Sequence, residues 1–88
     1  MSPHLPWSPP RPPANPGYAL ITARQAEVLD HLCAGLTNHR IGAEMGVSEN
    51  TVKTTVTGLL ANLGARDRCH AVALACTGQL RIHVKGWT

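Results

Sequence analysis

Eighty-eight residues, 43% of them hydrophobic but with only two Trp, one Tyr and no Phe, make a single small domain whose core is aliphatic and whose margin of stability as a monomer is thin. A formal charge of +3 hints at a polyanionic partner. Three cysteines without a CxxC spacing exclude a disulfide framework and a zinc knuckle, and no run approaches the roughly 18 apolar residues of a membrane span, so the chain reads as cytoplasmic with reduced thiols.

Residues 1–17 hold all seven prolines, spaced so that neither helix nor ladder persists, and read as an extended or disordered arm. From Leu20 the pattern turns helical. Thr22 and Gln25 form a capping box that opens a first helix over Ala23 to Ala34, with Val28, Leu29, Leu32 and Cys33 on one apolar face and Gly35 closing it. Cys33 reads as a small core hydrophobe. Thr37 caps a short second helix with Ile41 and Met45 on one side and Gly46 as its stop.

Ser48 is the next cap, and a third helix runs from 49 to Leu63, ended by Gly64. On a helical wheel Val52, Val56, Leu59, Leu60 and Leu63 share one arc. Opposite lie Asn50, Thr54, Thr57, Gly58 and Ala61, with Thr51 and Lys53 on the flanks. Asp67 caps a fourth helix over Arg68 to Thr77, stopped at Gly78. Its centre, Ala71 to Cys76, is apolar all round and needs cover on two sides. Residues 79–88 form an extension in which Leu80, Ile82 and Val84 alternate with Arg81, His83 and Lys85, a pattern shared by a short strand and a frayed tail. As a strand it could pair with its counterpart in a dimer. The fold class expected is all-α, a four-helix domain over 18–78.

A short helix, a tight turn and a longer helix with a polar N-terminal half is the geometry that lays a recognition helix into the major groove of double-stranded DNA. Four threonines and a glycine among positions 51–58 are a costly choice for a surface that asks only for helix stability. Lys53 can donate to guanine, and threonine hydroxyls and methyls can meet base edges. Thr51, Thr55 and the amides that open the second and third helices suit phosphates. Between residues 22 and 78, Arg24, Arg40, Lys53, Arg66 and Arg68 are matched by Glu27, Asp30, Glu44, Glu49 and Asp67, so the basic surplus lies in the flanks, on Arg11, Arg81 and Lys85.

The segments TARQAEVL, AGLTNHRIG, MGVSENTVK and LGARDRCHAVALA, spread over residues 21–75, together resemble the LuxR/NarL (GerE-like) helix-turn-helix domain. The resemblance implies a non-enzymatic DNA-binding transcription regulator that acts as a homodimer through its fourth helix. It carries base contacts onto Lys53, Thr54 and Thr57, phosphate contacts onto Asn38, Thr51 and Thr55, and the dimer interface onto Ala71, Leu74 and Ala75. Thr55 stands where the family usually has His, Thr57 and Asn62 where it often has a basic residue, and Gly42 where it has Ala. Fewer phosphate contacts flatten the salt dependence and weaken binding unless the basic flanks contribute.

With only a Pro-rich arm ahead of it, the domain reads as a stand-alone form controlled by its level, by dimerisation or by another protein. Two alternatives stay open. The same fold could act mainly on another regulator or on RNA polymerase, which the neutral core favours, or the motif could be the promoter-reading end of a sigma factor, against which the fourth helix counts. No cofactor is implied. Cys69, His70 and Cys76 lack a fourth ligand for zinc, and no nucleophile, base or phosphate loop is set up for catalysis.

Overall fold

The computed structural model describes residues 17–86; the Pro-rich arm lies outside them up to residue 16. The order of elements is β1 (Tyr18–Ile21), α1 (Ala23–Cys33), α2 (Asn38–Met45), α3 (Glu49–Leu63), α4 (Arg68–Cys76) and β2 (Arg81–Val84).

Each helix begins where a short polar side chain satisfies an amide that has no partner inside the helix. The Thr22 hydroxyl accepts from the Gln25 amide at 3.1 Å, while the Gln25 side chain accepts from the Thr22 amide at 3.0 Å. Thr37 accepts from the Arg40 amide, Ser48 from the Thr51 amide and Asp67 from the His70 amide. The helices end at Ala34, Gly46, Gly64 and Thr77, within one residue of the boundaries read from the sequence.

The two strands pair in parallel, Tyr18 opposite Arg81 and Ile21 opposite Val84. Parallel neighbours need a crossover connection, and here the four helices together supply it. β1 was not expected, and β2 pairs with β1 of its own chain. The ladder is fastened by the Arg81 amide on the Gly17 carbonyl at 2.8 Å and the Lys85 amide on the Ile21 carbonyl at 2.6 Å. Alternation then sends Ala19 and Ile21 into the core, with Ile82 and Val84 packed against it, and leaves Tyr18 and Leu20 outside.

Val28, Ile41, Val52, Leu59 and Ala71 have no exposure at all, and Ile21 and Leu63 almost none. One aliphatic core therefore gathers a residue or more from β1 and from every helix. Emptying its centre by Leu59→Ala removes about 2–5 kcal/mol, a large share of what a domain this size has.

Arg68, the first residue of α4, ties the helices together by a polar route. Its guanidinium donates to the Asn38 side-chain oxygen and to the Leu36 carbonyl, both at 2.6 Å and partly buried. One fork thereby fixes the start of α4 to the α1–α2 loop and the first turn of α2.

Cys33 departs from expectation. It is exposed, because as the last residue of α1 it lies at an open groove with Leu29, Ala75, Ile82 and Val84 instead of inside the core. Partial burial of the thiol, helped by a hydrogen bond and the charge of Cys76 and by the charge of Asp30, pushes it up to about 11 from an ordinary 9.0.

Two measurements follow from these contacts. Urea unfolding of Arg68→Ala is expected to show a loss of about 1.5–3 kcal/mol, the worth of hydrogen bonds from a charged donor, and Arg68→Lys recovers less than half because an ammonium cannot reproduce the fork. The folded state holds the Cys33 proton more tightly than the unfolded chain does, so this contribution is full below pH 9.0 and is lost as pH rises through about 11. Thermal melts across that window should fall less steeply for Cys33→Ala than for the parent.

Candidate nucleic-acid interface

The turn from α2 to α3 consists of Gly46, Val47 and Ser48. Gly46 sits at φ 72°, a left-handed conformation in which a side chain is strained, and its amide returns to the Gly42 carbonyl. Gly42 is where the turn comes closest, since a Cβ there would lie 2.7 Å from the Val47 carbonyl oxygen. Ile41 and Val52, both fully buried, lock the two helices across this turn. The angle of α3 is thus fixed by packing beneath it.

With one side of α3 held by Val52, Val56, Leu59 and Leu63, the other side presents Asn50, Lys53, Thr54, Thr57 and Ala61, all exposed. From Asn50 to Asn62 this helix carries no acid. The threonine hydroxyls are turned back onto the helix. Thr54 donates to the Asn50 carbonyl at 3.1 Å, Thr57 to the Lys53 carbonyl at 3.1 Å, and the half-buried Thr55 to the Thr51 carbonyl at 2.9 Å. Thr51 shares a hydrogen bond with Ser48 at 2.9 Å.

The expected base-reading residues Lys53, Thr54 and Thr57 therefore lie together on one exposed face. The residues expected at phosphates are differently placed. Thr51 already has a partner in the cap residue Ser48 and Thr55 one in the Thr51 carbonyl, and the Asn38 side-chain oxygen is taken by Arg68. The backbone amides of Asn38 and His39 at the start of α2, and those of Glu49 and Asn50 at the start of α3, precede any acceptor within their own helices. Both helix N-termini carry the positive end of a dipole.

Between them the His39 Nδ1 lies 3.6 Å from a Glu49 carboxylate oxygen. Glu49 suits the start of its own helix yet opposes a phosphate approaching the same amides. A second surface pair, Arg40 with Glu44 at 3.8 Å, contributes little.

Gly58 is half-buried, not part of the open face. Gln25 lies over it, 3.1 Å from where a Cβ would be, and the same Gln25 oxygen that closes the capping box accepts from the Asn62 amide at 2.9 Å. Asn62 is thus a link from α3 to α1. Only the glycine itself, unneeded on a plain helix face, signalled that something lies close.

On α4, Ala71 is wholly buried in the chain's own core and cannot offer its side chain to a second copy. Leu74 and Ala75 remain partly exposed. The His70 Nδ1 accepts from the Arg66 amide at 2.9 Å, a loop-closing role that occupies it. Among the described residues no group of three or more His, Cys, Asp or Glu gathers as for a metal, and no helix is long and apolar enough to cross a membrane.

Comparison with known proteins agrees with this architecture. The family described as bacterial regulatory proteins, luxR family, matches residues 19–75. An uncharacterized transcriptional regulatory protein of Bacillus subtilis, YhcZ, is 40% identical over 63 residues, which are 72% of this chain and 29% of that protein. The nitrate/nitrite response regulator NarP of Escherichia coli is 37% identical over 57 residues, 65% of this chain and 26% of its own length. The probable transcriptional regulatory protein NarL of Mycobacterium tuberculosis is 40% identical over 67 residues, 76% and 31% of the respective chains. The chain thus spans under a third of the length of these relatives. With the helix-turn-helix, its caps and its fourth helix all in place over the matched residues, the chain belongs to the luxR family of bacterial regulatory proteins and folds as that non-enzymatic family's DNA-binding domain.

Proposed function

We propose that the domain is a sequence-specific reader of double-stranded DNA that inserts α3 into the major groove and binds as a homodimer through α4. One observation carries the reading: the exposed side of α3 is small, polar and free of acid between Asn50 and Asn62, while its opposite side is locked into the core. Lys53, Thr54 and Thr57 meet base edges. Phosphates are held by the first-turn amides of α2 and α3 and by the Asn38 side-chain amide, with Thr51 and Thr55 contributing where they release their internal bonds. The half-exposed Leu74 and Ala75 supply the contact between two copies.

Few cations face this surface, so affinity is modest and comes from doubling the contact. Two copies related by a two-fold axis read half-sites about 10 base pairs apart.

Selection of bound duplexes from a random pool, repeated at two salt concentrations, tests the reading. A paired half-site motif is expected, with a salt slope shallow enough to count only a few phosphates at about 0.9 per contact. Lys53→Ala should flatten the preference at one position in each half-site, a loss of about 1–3 kcal/mol of discrimination. A pool in which nothing is enriched sinks the proposal. Leu74→Glu is expected to abolish the dimer in sedimentation and leave only half-site binding, and an unchanged mass would remove α4 from the interface. Glu49→Gln takes away the acid beside the helix N-termini and should tighten binding to all sequences alike.

A further inference from the structure

Resting on that reading of α3, the hydrogen bonds on its exposed side point to which base pairs it prefers. A threonine hydroxyl has one proton to give and two lone pairs to receive. In Thr54 and Thr57 the proton is already given to the carbonyls of Asn50 and Lys53, each at 3.1 Å. What these two side chains hold out is an oxygen that accepts and a methyl group, and donating the proton makes that oxygen a better acceptor. Lys53, one residue before Thr54 on the same exposed side, only donates.

We infer that Thr54 and Thr57 select adenine–thymine pairs, while Lys53 alone accounts for any guanine in the site. The edges of bases in the major groove carry two kinds of donor, the amino groups of adenine and cytosine, and one apolar group, the methyl of thymine. An adenine–thymine pair offers the amino group and the methyl together. A cytosine–guanine pair carries one amino group and two acceptors as well but no methyl, so the methyl contact is what separates the two pairs. An acceptor on the DNA, whether guanine O6, thymine O4 or a phosphate, requires the hydroxyl to give up its bond to the helix. An adenine amino group lets that bond stay. The hydrogen bond therefore selects an amino group over a bare acceptor, and the methyl contact selects adenine–thymine over cytosine–guanine.

The test uses the full 88-residue chain and the duplex that selection returns. At the positions read by Thr54 and Thr57, adenine is replaced by purine deoxyriboside, which lacks the amino group, and separately thymine by deoxyuridine, which lacks the methyl. Removing one amino group should weaken binding by about three- to tenfold, the worth of one hydrogen bond. The same replacement should cost nothing in Thr54→Val or Thr57→Val at its own position, because valine keeps the methyl and the branched shape but has no acceptor. Thr54→Ser and Thr57→Ser should respond in the opposite way, sensitive to the lost amino group and indifferent to the lost methyl. Circular dichroism confirms that each variant keeps its helices.

An amino-group deletion that costs the valine variants as much as the parent overturns the inference, as does a selected site with cytosine–guanine pairs at these threonines. If Lys53→Ala changes the selected motif while both valine variants leave it intact, α3 reads DNA and only the threonine code is wrong. If no motif is selected at all, the reading of α3 falls and this inference with it.

Discussion

A single guanidinium sets the frame in which everything else is held. Arg68 stands at the first residue of α4 and reaches the Leu36 carbonyl and the Asn38 side chain together, so the fourth helix, the loop after the first and the opening of the second share one node. Arginine's planar fork suits two acceptors at once, and both of its bonds here are partly buried. Because α2 is also bound to α3 through Ile41, Val52 and the close approach at Gly42, the node extends to the exposed side of α3. A shift at Arg68 is a shift of the exposed side of α3 relative to α4.

What the sequence makes legible here is what is decided within a few residues. Thr22, Thr37, Ser48 and Asp67 each act on an amide three positions ahead, so the caps and the helix starts could be read directly. The apolar arc of α3 emerged equally well, because a fifteen-residue helix repeats its pattern often enough to be unambiguous. β1 was hidden for the opposite reason. Tyr18–Ile21 is too short to show a period, and it is a strand only because β2 comes back beside it from the other end of the chain.

The same limit of range explains the residues whose placement differed. Periodicity puts Cys33 on the apolar stripe of α1, but Cys33 lies at an open groove while its neighbour Leu32 stays in the core. Ala71 lies on an apolar helix, and its sequence neighbours give no sign that it, rather than Leu74, faces inward. Gly58 falls on the open side of the wheel, yet Gln25 lies across it and also accepts from Asn62. In each case the deciding neighbour lies on another element, and no local pattern records it. The polar face of α3 was visible as a composition, whereas the direction of each hydroxyl proton, on which its chemistry turns, belongs to the folded helix alone.

The parallel pairing of β1 with β2 bears on how the domain would withstand force. In parallel strands the chain enters β1 at one end of the ladder and leaves β2 at the other, here past Gly17 and Lys85. Tension drawn through those two points pulls the strands along one another, so the inter-strand bonds are loaded together in shear instead of being peeled one by one. Tension applied at those two points would meet the two short strands first, before any of the four helices between them.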